Sequence, residues 1–282
     1  MLLKELEKFF EVKIVEYKPE YGDMSEKIVD YAHQFNNVFK AEKPNAVLIR
    51  GDRYEMLPIA MCAAYQGIKI IHIEGGDLSG VIDNKVRHAI TKLADIHFAT
   101  NKESYTRLIT MGVDSDNVFN FGSLDVEYAA SIQTKRLIQE KYFVIAFHPI
   151  KNEDGKIFEK LKIDGLKKID IESNKDYGIG YSGETYSSED YINLLKYADL
   201  LIGNSSSLIK EASILAVPAI DIGERQNNRL KPHNVLHIPY NKEFLDKAIE
   251  YHSGLIYSPS SIYLIKGLRP SQEITKQLLK FI

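Results

Sequence analysis

The sequence predicts an α/β protein made of two parallel-sheet domains, and three observations carry that reading. Short apolar runs alternate with amphipathic helical segments along the chain, the order that builds a parallel sheet with helices on both faces. Several of the apolar runs, AVLI and IKII among them, are uninterrupted, as strands buried on both sides are. The alternation restarts near residues 135–142, after a helix-like stretch at 126–133, which divides the chain into domains 1–134 and 135–282.

Taken in order, the expected strands are residues 46–49, 68–73, 96–99, 118–121, 143–147, 168–171, 200–202 and 219–222. Expected helices cover 25–41, 54–65, 85–94, 102–111, 188–197 and 207–215, with a helix-like tail at 269–282. Residues 151–155 and the glycine- and tyrosine-rich stretch 177–186 read as loops, the second either a flap over a site or plain surface. No internal repeat is visible.

Composition narrows the function classes. The chain of 282 residues is 44% hydrophobic and 27% charged, the balance of a globular protein. A net charge of −3 argues against a general nucleic-acid binder, but leaves room for a local basic pocket that takes a phosphate. The single cysteine, Cys62, cannot form an intrachain disulfide and reads as a small buried residue, with no sign of an oxidising compartment. No apolar run approaches the about 20 residues that span a bilayer. The opening MLLKELEKFFEV carries charges through its apolar positions, unlike a signal peptide, so the expected location is the cytoplasm, with no membrane partner.

Three acids fall at or just past expected strand ends, where open parallel sheets bind ligands: Asp52 after AVLIRG, Glu74 after IKIIHI, and Asp83 in the loop that follows. Acids lining one pocket can have separated pKa values, so that one acts as base and another as acid. A single acid after a strand also serves as a helix N-cap or a solvated loop residue, and Asp83 fits the N-cap of the helix at 85–94. The three lie beside Arg53, His72, Arg87 and His88, a density of charge that suits an anionic substrate.

The segment RGDRYEMLPIAMCAAYQGIKIIHIEGGDLSGVIDNKVRHAITKLADIHFATN strongly resembles the hydrolysing UDP-N-acetylglucosamine 2-epimerases, the family of the bacterial sialic-acid pathway enzyme. Its pattern is GDR-x-E followed by HIEGGD-x-SG-x-x-D-x-x-x-RHAITK-x-AD-x-HF, and the resemblance runs from about Ala46 to Val235. It implies a GT-B-like fold, two Rossmann-like domains with a cleft between them. It implies that Asp52, Glu74 and Asp83 are the catalytic set, that UDP is eliminated to leave 2-acetamidoglucal, and that water then adds to release N-acetylmannosamine. Sialic-acid or related nonulosonate and surface-glycan synthesis would be the setting, with no metal and no cofactor required, and a homodimer or homotetramer as the assembly.

The second half carries GNSSSLIKEA after the strand DLLI. Serines ahead of a helix offer hydroxyls and free N–H groups to a phosphate, although the same pattern serves as an ordinary serine cap. The resemblance implies that Ser205, Ser206 and Ser207 hold the diphosphate of a UDP-sugar and that Glu211 holds the ribose. It likewise implies phosphate or nucleotide contacts for His148 in AFHP, Arg225 in IGERQNNR and Arg53, a weaker one for Arg229, and a place near the uracil for Asn174 in IESNKD.

The chain also departs from the family pattern. It has no GTRAE- or GTRPE-type turn with its nucleotide-contacting Arg; a helix-like segment and EVKIVEY come first instead. The first domain is therefore expected to be truncated, with apolar surface exposed where the missing strand would pack. The stretch between His148 and Tyr191 is expected to lack a helix and to uncover part of the second sheet, and GSLD is one residue shorter than the usual turn. These departures sustain two other readings: a weakly active or inactive family member that only binds nucleotide, and a GT-B glycosyltransferase. The carboxylate segment argues against the glycosyltransferase, whose chemistry does not need that set.

Overall fold

The central strands, Lys69–Ile73 and Tyr142–Ala146 above all, send alternate side chains into two different cores, and the helices between the strands close those cores. The computed structural model describes residues 1–19, 22–151, 155–173, 180–260 and 262–282. In chain order it contains α1 (Leu2–Leu6), α2 (Met24–Glu42), β1 (Ala46–Arg50), α3 (Met56–Tyr65), β2 (Lys69–Ile73), α4 (Asp83–Leu93), β3 (Ile96–Ala99), α5 (Lys102–Thr110), β4 (Val118–Asn120) and α6 (Leu124–Ser131). It continues through β5 (Tyr142–Ala146), α7 (Lys156–Glu159), β6 (Lys167–Asp170), α8 (Ser188–Lys196), β7 (Leu200–Gly203), α9 (Lys210–Leu215), β8 (Ala219–Ile222), β9 (Val235–Ile238), α10 (Lys242–His252) and α11 (Pro270–Leu278). Two compact units result, Met1–Leu124 with Leu264–Ile282, and Asp125–Tyr263.

The first unit holds a parallel sheet in the order β1-β2-β3-β4. On β2, Ile70 enters a core with Phe39, Ile59 and Ile90, while Ile71 and Ile73 enter the opposite one with Ile96, Phe98, and Ile274 and Leu278 of α11. Among the described residues β1 pairs only with β2, and Leu48 on that edge strand is 37% exposed. The segment EVKIVEY pairs with no strand among the described residues. It has no regular secondary structure and is tied to α2 by a Lys13–Glu42 ion pair, a Tyr17–Asp30 hydrogen bond and an edge-to-face contact of Tyr17 on Tyr31. α2 opens on a capping box, with Asp23 accepting from Glu26 N–H at 3.0 Å and Glu26 accepting from Asp23 N–H at 2.8 Å.

The second unit holds a parallel sheet in the order β6-β5-β7-β8-β9. Along β5, Tyr142, Val144 and Ala146 join the core under α8 and α9, and Phe143 and Ile145 join the one that includes Leu245 and Ala248 of α10. Strand β9 and helix α10 are additions to the elements expected from sequence. The expected helix over 207–215 divides into a single 3-10 turn, Ser206–Leu208, and the shorter α9. The physical reason is local: the Ser205 hydroxyl captures the Ser207 N–H, a side-chain bond that competes with the first helical turn. Between His148 and Tyr191 the described residues hold the four-residue α7 and strand β6. Among the described residues, no helix is long and apolar enough to cross a membrane.

Gly203 ends β7 against β5, with φ +148° and Asn204 N–H donating to Ala146 O at 3.1 Å. A Cβ there would sit 2.1 Å from Ala146 O, a backbone atom that cannot swing aside. Gly203→Ala is expected to destabilise the protein by roughly 2–3 kcal/mol through backbone strain and overpacking, read as a lower urea midpoint with an unchanged m-value.

Candidate functional site

In the first unit, the parallel pairing of β1 with β2 puts Arg50 opposite Ile73, so the turn after β1 and the turn after β2 leave the sheet side by side. Asp52 lies in the first turn and Glu74 opens the second. Asp83 is the first residue of α4, not the cap of a helix beginning at Lys85; the N-cap position is Ile82 and makes no side-chain cap bond. Asp83 and Arg87 are four residues apart on α4 and share a face. Arg87 is 2% exposed; its Nη2 donates to Asp52 Oδ2, and its Nη1 donates to Asp77 O at 2.7 Å. One guanidinium thus ties Asp52 to the helix face that carries Asp83.

Glu74 has φ +70°, a left-handed conformation that costs a non-glycine residue on the order of 1–3 kcal/mol. Its N–H donates to Phe98 O at 2.9 Å, and its Oε1 accepts from Arg50 Nε and Nη2 at 3.0 and 2.8 Å. The loop behind it is anchored by Asp77, 2% exposed, whose Oδ1 accepts from Thr100 Oγ1 at 2.9 Å and Ser104 Oγ at 2.5 Å. Gly76 permits this approach: at φ +80° its Cβ would lie 2.3 Å from Ser104 O. Arg53 is exposed, with Nε donating to Glu55 Oε1 at 2.6 Å.

Below the turn, His72 is fully buried. Its Nε2 lies 3.1 Å from Gly51 O and its Nδ1 3.3 Å from Thr91 Oγ1. A carbonyl can only accept, so Nε2 carries the proton and Nδ1 accepts from the threonine. Burial pushes the His72 pKa down to about 4, and does the same to His97, whose ring centroid is 6.2 Å away. His88 is lowered as well, by burial and then by Arg87 and Arg107. Of these neutral imidazoles, His72 props the turn that carries Asp52 through Gly51 O, and His97 bonds to Ala94 O at 3.2 Å.

In the second unit, Asn204 is the hub. Its Oδ1 accepts from His148 N–H at 2.7 Å, and its Nδ2 donates to His148 O at 3.0 Å. Its own carbonyl accepts from Arg225 Nη1 at 3.1 Å and Gln226 Nε2 at 2.8 Å. His148, the serine turn and Arg225 are thereby brought to one end of the sheet, past the ends of β5, β7 and β8. Ser205 and Ser206 are partly exposed on the 3-10 turn, Ser207 is 4% exposed beneath them, and Glu211 is partly buried in the first turn of α9. Asn174 lies outside the described residues.

Sequence reasoning missed Arg50, Asp77, Asn204 and Tyr191. Arg50, Asp77 and Asn204 sit inside the quoted motifs, where a polar residue next to a strand end was the available signal. Tyr191 had none, because its role depends on Ser207, far away in the chain.

The ion pairs that hold Glu74 and Asp52 differ in weight. Arg50 is 43% exposed, so its bond to Glu74 is worth about 1 kcal/mol or less and can open. Arg87 is dry, and removing one partner of such a pair costs roughly 3–5 kcal/mol. In chemical denaturation, Arg87→Met is expected to lose stability on that larger scale, and Arg50→Met to stay within about 1 kcal/mol of the parent.

The histidines set a pH dependence. With folded pKa values of about 4 against an ordinary 6.5, the unfolded chain binds protons that the folded chain refuses. Their contribution is complete above pH 6.5 and is lost as pH falls towards 4, on the order of 3 kcal/mol for each histidine. Urea midpoints measured across this range are expected to fall with pH, and less steeply in His97→Gln.

A family model described as UDP-N-acetylglucosamine 2-epimerase matches residues 4–177 and 182–258. The chain is 33% identical over 243 residues to the UDP-N-acetylglucosamine 2-epimerase of Neisseria meningitidis serogroup B, an alignment covering 76% of this chain and 64% of that protein. It is 33% identical over 288 residues to the polysialic acid biosynthesis protein P7 of Escherichia coli, covering 86% and 74%. It is 32% identical over 256 residues to the GDP/UDP-N,N'-diacetylbacillosamine 2-epimerase (hydrolyzing) of Campylobacter jejuni, covering 77% and 65%. Among solved structures, the S. aureus MnaA–UDP co-structure superposes with a TM-score of 0.77 at 21% identity, over 100% of this chain and 87% of that one. The Neisseria meningitidis UDP-GlcNAc 2-epimerase bound to UDP-GlcNAc gives a TM-score of 0.75 at 18% identity, over 99% and 89%. At these identities the structural likeness shows the fold alone, a GT-B-like pair of parallel-sheet domains.

Proposed function

The chain belongs to the UDP-N-acetylglucosamine 2-epimerase family, and from that premise we propose that it is a hydrolysing epimerase that converts UDP-N-acetylglucosamine to N-acetylmannosamine and UDP. The observation that carries the proposal is the Asp52–Arg87–Asp83 arrangement beside Glu74: three carboxylates issuing from two neighbouring strand ends and one helix face. The likeness to a relative named as hydrolyzing supports the subtype, and the likeness to a polysialic acid biosynthesis protein supports a setting in sialic-acid or related surface-glycan synthesis.

The chemistry proceeds in two steps. A carboxylate removes the C2 proton, the C1–C2 double bond forms, and the C1–oxygen bond breaks, so that UDP leaves with the electron pair. Water then adds across the double bond of 2-acetamidoglucal, hydroxyl at C1 and proton at C2 on the opposite face. The C2 proton is weakly acidic, so a positioned base and stabilised leaving-group charge are both needed. Asp52 and Glu74 serve the elimination and Asp83 the hydration. The weak Arg50–Glu74 pair leaves Glu74 able to turn to substrate. Arg53 and Arg225, His148, Asn174 and the serine turn hold the nucleotide, with Glu211 on the ribose. The catalyst is expected to be cytoplasmic and to work as a homodimer or homotetramer.

Incubation with UDP-N-acetylglucosamine in deuterated water tests this: UDP and N-acetylmannosamine appear together, with deuterium at C2. Asp52→Asn, Glu74→Gln and Asp83→Asn each lower turnover by about 100-fold or more. Asp83→Asn acting at the parent rate would remove Asp83 from the mechanism, and nucleotide binding without UDP release would leave the chain a binding protein.

A further inference from the structure

Three hydroxyls meet beneath the serine turn of the second unit. Tyr191, in the first turn of α8, brings its OH to 2.6 Å from Ser207 Oγ. Ser207 Oγ lies 2.9 Å from Ser205 Oγ, which also accepts the Ser207 N–H at 3.4 Å. The Tyr191 ring packs on the core that contains Leu194, Leu208 and Ala212. Burial first, and the charge of Glu211 as well, push its phenol up to about 12, so it stays a hydroxyl over the whole working pH range.

The donor count gives the cluster a direction. Three hydroxyl protons serve two contacts, so one proton is left at an end of the chain. A phenol is a stronger donor than an aliphatic hydroxyl, and Tyr191 heads the chain from within the packed side of the unit. The order is then Tyr191 to Ser207 to Ser205. Ser205 Oγ takes the Ser207 O–H and N–H on its acceptor side, and its own proton points away from both. Ser207, 4% exposed, has its hydroxyl consumed inside the cluster, whereas Ser205 is partly open to solvent.

We propose that Tyr191 is a positioning residue for the nucleotide phosphates: through Ser207 it fixes the Ser205 hydroxyl as a donor aimed at the diphosphate. Ser207 thereby becomes a link in the relay and not a direct phosphate contact. The proposal rests on the reading that the serine turn receives UDP. It adds the group that decides which way the hydroxyls of that turn point.

The test is calorimetric titration of the intact protein with UDP, and with uridine, which lacks the phosphates. Tyr191→Phe removes one oxygen atom and keeps the packed ring. Ser207→Ala cuts the same relay without touching the ring, which guards against a folding effect. Both are expected to weaken UDP about tenfold, the scale of one net hydrogen bond, and to leave uridine binding unchanged. Adding Tyr191→Phe to Ser205→Ala is expected to cost nothing more, because both act on the same donor. The relay is overturned if the parent binds UDP and Tyr191→Phe binds it equally well, if uridine weakens in parallel, or if the double variant is additive. A parent chain that fails to bind UDP overturns the nucleotide reading itself, and the relay with it.

Discussion

Parallel pairing is the constraint from which the rest of this structure follows. In each unit every ladder between named strands is parallel, so all the strands of a sheet end at the same edge. The connections that leave that edge are the ones that carry Asp52, Glu74, His148 and Ser205. Parallel ladders also demand helices on both faces, which is why alternate residues of β2 and β5 enter separate cores. The edge is crowded with backbone because the strands are short and their turns tight. Gly76 and Gly203 occur where one backbone presses against another and no Cβ fits.

On that edge, two ways of holding a carboxylate coexist. Asp52 is bound to a dry arginine whose other arm grips the backbone of the next loop, an arrangement that fixes position. Glu74 is bound to a half-exposed arginine and sits in a strained left-handed backbone conformation, held there by its N–H bond to β3. Fixed acid and releasable acid stand beside each other, and the buried neutral histidines and the Asp77 anchor supply the rigidity behind them. Strain at Glu74 is tolerable because Asp77, Arg87 and Arg107 all clamp the loop that follows.

The second unit solves a different problem with neutral groups. Asn204 links three strand ends through its side chain and its carbonyl, and the hydroxyls of Tyr191, Ser207 and Ser205 form a chain with a direction.

The sequence alone determined the fold class, the position of most strands and helices, and the family, because these depend on local patterns: apolar runs, capping residues, and motifs contiguous in the chain. Strand β9 and helix α10 were within reach, since Asn241 caps α10 and Leu245, Ala248 and His252 line one face, but β9 is short and carries His237. What the sequence could not decide is how groups distant along the chain meet. EVKIVEY lies beside α2, tied to it by Lys13–Glu42 and Tyr17–Asp30, contacts that no local pattern shows. The pairing of Arg87 with Asp52, of Arg50 with Glu74, and of Tyr191 with Ser207 depends on strand register and helix packing. Only the tertiary structure fixes those, since a hydrogen bond is set by distance in space and not by separation in the chain.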